Sequence, residues 1–380
     1  MVNWLLIYML LISTPIIYQY NITVKIVNNE EIMLPNSPPY EFLLNQNIFP
    51  NSTYQQSYLN EVTINGIPAH FETHMDVDGN PYIKILTDLP LKKGEFITVS
   101  MIFTIQMKGR NFDFSNIGKI SEIPREISER YPLIGAWEIE ESKREEIINL
   151  LNSIVGDEDN ALLIILKILK WFEDNMKYSF GLFAPQDLWY TYSTRSGDCD
   201  DLANLFVLFC RCLHIPAYTV IGAIYMPGVS SSEQYENMIF NLNNVAWHGW
   251  AMVYLPTRYG ECWYPVDLTF FRGAYFEDLH IKSLNPIDHI IYSGFAIYPT
   301  FEYLSIKTQN YIVEASNVRE IIKNSNISWI EYHHMKPLYN TSNIYISIHD
   351  FIVIALFIIL ALLILHKIRS ELPRGAPSSI

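Results

Sequence analysis

Three residues whose side chains together could carry out acyl transfer occur in order along the chain: Cys199, His248 and Asp267. A cysteine thiolate is a nucleophile, and a neighbouring imidazole can act as its base. A carboxylate beside that imidazole can fix its tautomer and its orientation. The order therefore predicts a Cys-His-Asp triad that attacks an amide carbonyl through Cys199.

Cys199 stands at the start of a predicted helix, because residues 202–210 are apolar almost throughout and are typical of a buried helix. Unpaired N–H groups at a helix N-terminus favour the thiolate, which is the reactive form of cysteine. The thiol also has three acidic neighbours in the sequence, Asp198, Asp200 and Asp201. Their negative charges oppose the thiolate. A reactive Cys199 therefore needs a cation beside it, and a protonated His248 is the obvious supplier.

His248 and Asp267 lie in two aromatic and β-branched runs joined by a turn that contains proline. Such a pattern is typical of a β-hairpin. With a four-residue loop at 256–259, Leu255 faces Gly260, and the same register makes His248 face Asp267. Facing residues on antiparallel strands have Cβ atoms about 4.5–5.5 Å apart. A one-residue bulge would shift the register and separate the two side chains.

Three blocks of sequence resemble the transglutaminase-like superfamily, in particular its microbial and archaeal members, which are related in fold to papain-like cysteine proteases. The blocks are Gly197-Asp198-Cys199-Asp200-Asp201 with the helix end at 210–217, the strand at 248–256, and Trp263-Tyr264-Pro265-Val266-Asp267-Leu268-Thr269. The resemblance covers residues 138–271. It implies that Cys199 is the nucleophile, that His248 is the base and that Asp267 orients His248.

Two positions differ from the pattern of that superfamily. His214 stands where glycine usually ends the helix, and Asp200 stands where animal transglutaminases have a tryptophan. The second difference favours a hydrolase, or an acyl transferase of another kind, over an enzyme that crosslinks proteins.

Each candidate residue also has a structural interpretation. A buried cysteine is usually a small apolar filler, and a histidine on a strand is usually a hydrogen-bonded core residue. The joint occurrence of the three residues favours the triad. A fold can nevertheless persist after its chemistry is lost. The alternative function is therefore a non-catalytic adhesion or envelope-organising protein that keeps the fold as a binding platform.

The composition is that of a folded protein with sizeable cores, since 49% of its 380 residues are hydrophobic and 17% are charged. The net charge of −14 argues against a nucleic-acid partner, because binding to phosphates relies on Lys and Arg. The sequence has no Gly-rich phosphate loop and no paired CxxC spacings, so we expect neither a metal nor an organic cofactor. The expected partners are a protein or peptide substrate and a membrane.

The remaining cysteines are Cys210, Cys212 and Cys262. Cys199 and Cys210 lie on one predicted helix, too far apart along its axis to form a disulfide. Cys262 could reach Cys210 or Cys212 if the hairpin packs on that helix. The alternative is that all three are buried thiols, and the sequence does not decide between them.

Both ends of the chain are apolar. Residues 346–366 reach the length of about 20 residues that crosses a bilayer, although a buried core helix is the alternative for the unbroken run at 351–365. Lys367 and Arg369 follow, so the positive-inside rule places the tail in the cytoplasm and most of the chain outside the cell. The first 19 residues suggest a signal peptide or an uncleaved anchor. Four Asn-x-Ser/Thr sites agree with an extracellular glycoprotein: Asn21, Asn51, Asn326 and Asn340.

The order of the elements predicts an α+β fold, in which a papain-like or transglutaminase-like core is preceded by a β-sandwich domain and followed by a C-terminal transmembrane helix. The stretch at 230–244, rich in Ser, Asn and Glu, is expected to be a loop that borders the active-site cleft. The predicted units are a signal peptide or anchor at 1–19, a β-sandwich at 20–111, a connector at 112–131, the transglutaminase-like domain at 132–305, a juxtamembrane extension at 306–345, a transmembrane helix at 346–366 and a cytoplasmic tail at 367–380.

The predicted function is that of a membrane-anchored, extracellular cysteine hydrolase or acyltransferase that acts on amide bonds of proteins or peptides.

Overall fold

The computed structural model describes residues 16–108, 112–179, 185–258, 262–290 and 299–338. The strands of these ranges are β1 (Ile16–Asn28), β2 (Ile32–Met33), β3 (Asn45–Asn47), β4 (Gln55–Ile64), β5 (Ile67–Pro68), β6 (Phe71–Met75), β7 (Pro81–Ile85), β8 (Leu91–Lys92), β9 (Phe96–Met107), β10 (Lys177–Tyr178), β11 (Ser196–Gly197), β12 (Ala217–Tyr235), β13 (Met238–Tyr254), β14 (Trp263–Val266), β15 (Tyr275–Glu277), β16 (His280–Lys282), β17 (Thr300–Ile306) and β18 (Ile327–Pro337). The helices are α1 (Tyr40–Leu44), α2 (Arg125–Ser128), α3 (Glu141–Val155), α4 (Ala161–Asn175), α5 (Leu188–Thr194), α6 (Cys199–Cys212) and α7 (Tyr311–Asn324).

One large sheet organises the molecule. Its strands follow the order β17-β12-β13-β18-β1-β9-β4-β5, and β14 pairs with β13 beside that path. The first half of β13 pairs in parallel with β18, whereas its second half pairs antiparallel with β14. Strand β13 therefore belongs both to the continuous sheet and to the hairpin that carries His248.

The predicted fold class is wrong, because the described chain contains more strand than helix. Of the strands in the predicted β-sandwich, β1, β4, β5 and β9 continue the sheet of the central domain, since β18 lies between β13 and β1. Strands β2 and β8 form a small sheet, and β3, β6 and β7 form another. Strand β18 comes from residues predicted to form a polar extension. Its place depends on pairing between distant parts of the chain, which local patterns do not encode.

The predicted C-terminal transmembrane helix has no counterpart in the part of the chain that the structure describes. No helix there is both long enough and apolar enough to cross a bilayer. The predicted span at 346–366 and the first 15 residues lie outside the described residues.

The helix predicted to start at Cys199 is confirmed as α6. Helices α3 and α4 precede it in the chain. Asn160 caps α4, because its side chain accepts a hydrogen bond from the N–H of Leu163 at 3.1 Å. Helix α6 is buried almost all round, as its apolar sequence predicts, and it packs against α3, α4, β12 and β13. The start of α6 is thus held in the centre of the domain.

Arg211 anchors the other end of α6. The buried guanidinium donates hydrogen bonds to the carbonyl oxygens of Pro132, Ala217 and Lys307, and it lies 3.8 Å from the ring centroid of Trp137. Burial lowers the pKa of Arg211 to about 9. These contacts tie the helix to three separate segments and restrict its movement.

The sequence predicted a loop at 230–244, but the structure has the outer half of the β12–β13 hairpin there. Pairing continues to the Tyr235–Met238 pair, and only Glu236 and Asn237 make the turn. Glu236 has a positive φ of 51°. The β12 residues from Ser230 to Gln234 are all polar, and nearly all of this part of the strand is exposed.

Because Gly222 on β12 has no side chain, Phe301 of β17 and the ring of Trp250 can pack close to its backbone. A Cβ atom at Gly222 would lie 2.1 Å from the carbonyl oxygen of Phe301 and 2.5 Å from the ring of Trp250. We expect Gly222→Ala to lower the free energy of unfolding by about 1–3 kcal/mol, the usual cost of overpacking a core. Urea denaturation measures this difference.

The matched control is Ser230→Ala, which changes an exposed position of the same strand. Its effect on the free energy of unfolding should be within about 0.5 kcal/mol. Equal free energies of unfolding for Gly222→Ala and the parent protein would contradict this expectation, because they would mean that β17 can move away from β12 without loss of stability.

Candidate active site

Cys199 is the first residue of α6, and the turn before it is fixed by Asp201. The buried Asp201 carboxylate accepts the N–H of Asp198 at 3.2 Å, and its Oδ1 accepts the N–H of Gln186 at 2.7 Å. A Cβ at Gly197 would lie 2.6 Å from the Cβ of Asp201, so only glycine fits there. These contacts hold the backbone that presents the thiol.

His248 and Asp267 meet in the interior. His248 Nε2 lies 2.7 Å from Asp267 Oδ2, and both side chains are buried. The register of the hairpin nevertheless differs from the predicted one, because Tyr254 faces Trp263. The shift is two residues. An even shift keeps Asp267 on the same side of the sheet as His248, so the two side chains still make contact.

Asp267 is held as a carboxylate by several donors. Its Oδ1 accepts the N–H groups of Thr269 at 2.9 Å and Phe270 at 2.8 Å. Burial acts to raise the pKa of Asp267, but the charge of His248 and the hydrogen bonds from His248, Phe270 and Thr269 outweigh it. The net result is a lowered pKa, so Asp267 is ionised at neutral pH.

Two aromatic rings orient the imidazole of His248. The ring of Trp250 stacks at 24° with the centroids 5.9 Å apart, and the ring of Phe270 stands at 63° at the same distance. Because Nε2 bonds to Asp267, Nδ1 is the nitrogen left to exchange a proton with a reacting group. Asp267 thereby fixes the tautomer and the orientation of the imidazole.

Gly249 brings the thiol and the base together. A Cβ on Gly249 would lie 2.7 Å from the Cβ of Asp200, so β13 reaches the first turn of α6 only because residue 249 has no side chain. The backbone N–H of Gly249 also hydrogen-bonds Cys199 and favours its thiolate. The nucleophile is therefore in contact with the residue that follows His248.

The environment of Cys199 disfavours the thiolate in other respects. Burial raises the pKa of Cys199 well above its ordinary value, and the charges of Asp200 and Asp198 raise it further. Burial, followed by a hydrogen bond to Asp200, raises the pKa of Asp198 to about 10. The sequence-based expectation that the neighbouring carboxylates oppose the thiolate is confirmed for Asp200, whose charge raises the pKa of Cys199 more than that of Asp198 does.

A group of three possible metal ligands occurs among the described residues. The ligand atoms of Asp198, Cys199 and Asp200 all lie within 4.8 Å of one another. The hydrogen bond between the two carboxyl groups accounts for their proximity without an ion.

Two tyrosines that the sequence did not single out lie near the thiol. Burial raises the pKa of Tyr178 and of Tyr311, and the charges of Cys199, Asp198 and Asp200 contribute in both cases. Tyr178 comes from β10 and Tyr311 from α7, so no local pattern joins them to Cys199.

The sequence did contain an indication of the role of Gly249, because a glycine inside a strand often marks a close approach of two backbones.

None of the four cysteines forms a disulfide, and all four lie within the described residues. Cys210 and Cys212 are buried, whereas Cys199 and Cys262 are partly exposed. The sequence left a bridge to Cys262 open, and the structure shows thiols instead.

A comparison with protein families matches the region that contains these residues. Residues 148–268, which include Cys199, His248 and Asp267, match the core model of the transglutaminase-like superfamily. The resemblance seen in the sequence is thereby confirmed for residues 148–268. The match covers less than half of the chain.

Solved structures show a related fold at low sequence identity. A candidate cysteine protease from Cytophaga hutchinsonii matches with a TM-score of 0.51 and 14% identity, over 86% of this chain and 92% of that chain. The periplasmic domain of TgpA from Pseudomonas aeruginosa, bound to ethylmercury, matches with a TM-score of 0.29 and 14% identity, over 67% and 90% of the two chains. No curated protein matches the sequence.

The charge of Asp200 gives a test of the thiol's environment. Asp200→Asn removes a negative charge that raises the pKa of Cys199, so we expect this pKa to fall. Alkylation by iodoacetamide at neutral pH should then become faster than in the parent protein. The rate of labelling of Cys199, followed against pH by mass spectrometry, measures the shift.

Asp157→Asn serves as the control, because it removes the same charge from an exposed position between α3 and α4. Its labelling curve should overlay that of the parent. An unchanged curve for Asp200→Asn would mean that Asp200 does not act on the thiol.

Proposed function

We propose that this protein is a cysteine-dependent hydrolase of amide bonds in proteins or peptides, with Cys199 as the nucleophile. The observation that carries the proposal is the hydrogen bond from His248 to Asp267 next to the contact between Gly249 and Cys199. These features lie within a transglutaminase-like domain. The fold of the Cytophaga hutchinsonii protein, a candidate cysteine protease, supports the same class of activity.

The proposed reaction begins with removal of the proton from the Cys199 thiol by His248 Nδ1. The sulfur then attacks the carbonyl carbon of the substrate amide and forms a tetrahedral intermediate. His248 gives the proton to the leaving amine, the C–N bond breaks and a thioester remains on Cys199. A base is required because the raised pKa of Cys199 keeps the free thiol protonated at neutral pH.

The thioester is resolved by water, with His248 as the base for the second attack. Water adds to the thioester carbonyl, the C–S bond breaks, the sulfur recovers its proton and a carboxylic acid leaves. We favour hydrolysis over transfer to an amine because Asp200 occupies the position where animal transglutaminases have tryptophan. Asp267 stays ionised throughout and stabilises the imidazolium of His248.

One observation favours a second candidate function, that of a binding protein that has kept the fold without the chemistry. The burial and the two carboxyl groups that raise the pKa of Cys199 make it a poor nucleophile unless His248 acts on it. In that case the cleft would bind a peptide without cleaving it. Labelling kinetics distinguish the two, since an inert Cys199 in the folded protein supports the binding function.

The predicted location, with most of the chain outside the cell, stays a prediction. The same holds for glycosylation at the Asn-x-Ser/Thr sites and for processing of the N-terminal segment.

Substitutions of the triad should have unequal effects on the cleavage of a fluorogenic peptide-amide library. Cys199→Ala removes the nucleophile and should abolish turnover, and His248→Ala should do nearly the same. Asp267→Asn keeps the size of the side chain but permits the wrong tautomer of His248. Its turnover number should fall by roughly two to four orders of magnitude.

Cys262→Ala provides the matched control, because Cys262 is the other partly exposed thiol. It should retain full activity. Circular dichroism and thermal unfolding show whether each variant is folded. Turnover by folded Cys199→Ala at the parental rate would remove Cys199 from the mechanism.

A further inference from the structure

A second buried histidine lies directly behind the triad. His289 is 1% exposed, and its ring is 3.9 Å from the ring centroid of Phe271. Nδ1 of His289 lies 2.8 Å from the carbonyl oxygen of Asp267, and Nε2 lies 3.0 Å from Oε1 of Glu173. Glu173 comes from α4 and is also buried. Nothing in the local sequence connects these residues with the triad.

The hydrogen bonds determine where the protons are. The carbonyl oxygen of Asp267 can only accept, so Nδ1 of His289 must carry a hydrogen. Oε1 of Glu173 also accepts the N–H of Ser283 at 3.0 Å and the hydroxyl of Ser283. An oxygen on which these donors converge belongs to an ionised carboxylate, so Nε2 of His289 must donate as well. His289 is therefore an imidazolium paired with a carboxylate.

The surroundings of Glu173 agree with this assignment. Burial acts to raise the pKa of Glu173, but the hydrogen bonds from His289 and Ser283 and the charge of His289 lower it to about 2. Lys170 contributes from the solvent side, with Nζ 3.3 Å from Oε2 of Glu173. His289 and Glu173 thus form a buried ion pair in which both N–H groups of the imidazolium and both oxygens of the carboxylate have hydrogen-bond partners. Buried ion pairs are tolerated under this condition.

The pair holds Asp267 by its backbone at two points. Asp267 donates its N–H to the carbonyl oxygen of His289 at 2.8 Å, and the Nδ1–H of His289 donates to the carbonyl oxygen of Asp267. Next to it, Val266 and Ile290 form an antiparallel bridge. Asp267 follows the last residue of β14, where the strand alone would not fix its direction.

We propose that His289 is a positioning residue that fixes the backbone of Asp267, and through it the carboxylate that orients His248, while Glu173 holds the ring of His289 from the other side. The interactions form one chain from Glu173 through His289 and Asp267 to His248. This inference rests on the proposed function, because it assigns the two residues to the orientation of the catalytic base. His289 and Glu173 do not touch the substrate in this scheme.

Two substitutions of His289 separate its two contacts. Asn places an N–H donor close to the position of Nδ1, so His289→Asn keeps the bond to Asp267 and loses the bond to Glu173. Gln places a donor close to Nε2, so His289→Gln keeps the bond to Glu173 and loses the bond to Asp267. The two variants have similar polarity and differ mainly in which partner they reach.

We expect His289→Gln to lower the turnover number on peptide amides about tenfold or more, as is usual when a group that orients a functional side chain is removed. The Michaelis constant should change little, since the substrate does not contact His289. His289→Asn should retain activity within a few-fold of the parent. The downfield proton resonance of the His248–Asp267 hydrogen bond should be lost in His289→Gln and kept in His289→Asn.

The matched control is Glu331→Gln, which removes the charge from another histidine–glutamate pair. Glu331 Oε2 lies 2.9 Å from Nε2 of the buried His333 on β18. The other contacts of this pair are with Tyr20, Trp247 and Trp329 rather than with the triad. The control should lower the melting temperature and keep both the resonance and the turnover number.

The resonance distinguishes failure of this inference from failure of the proposed function. Loss of the resonance in His289→Gln alone supports the positioning role, even if the parent protein cleaves no amide. Retention of the resonance in His289→Gln, with a fall in melting temperature equal to that of Glu331→Gln, would reduce His289 to a structural residue. An equal loss in His289→Asn and His289→Gln would also overturn the assignment.

Discussion

The close approach of β13 to the first turn of α6 is the constraint on which the site depends. The two backbones come together at Gly249 and Asp200, where a Cβ on residue 249 would lie 2.7 Å from the Cβ of Asp200. Helix α6 carries Cys199, the proposed nucleophile, and β13 carries His248, the proposed base, so this contact brings the two elements of the candidate site together. The bulk of the domain serves to hold these two elements against each other. Arg211 fixes the far end of the helix, and the pairing of β12 with β13 fixes the strand.

The sequence predicted those parts of the molecule that depend on local patterns. The run after Cys199 is apolar almost throughout, which is typical of a buried helix, and α6 lies there. The aromatic and β-branched run around His248 has the pattern of a strand, and β13 lies there. Even the contact between His248 and Asp267 was expected, although the register differs by two residues. The sequence did not determine the register of β13 and β14, since a proline-containing turn does not specify how many residues lie between the two strands.

Other features depend on pairs of residues that are distant in the chain. The place of β18 between β13 and β1 follows from strand pairing across most of the chain, and no periodicity encodes it. His289 meets Glu173 and Asp267 only because α4, β14 and the segment after β16 converge. A sequence can supply the types of these residues but not their neighbours. The hydrogen-bond acceptors around His289, and therefore its charge, were beyond the reach of sequence patterns.

The position of β18 beside β1 bears on how the chain reaches its native state. The first described strand lies next to the last one, so the sheet joins residues about 300 positions apart in the sequence. Closing so long a loop costs entropy before any contact compensates it, which slows folding. During synthesis, β1, β9 and β4 emerge from the ribosome long before β18 can cover the open edge of β1. An exposed edge of this kind attracts other extended chains. We therefore expect the nascent protein to depend on chaperones until residue 337 has been released.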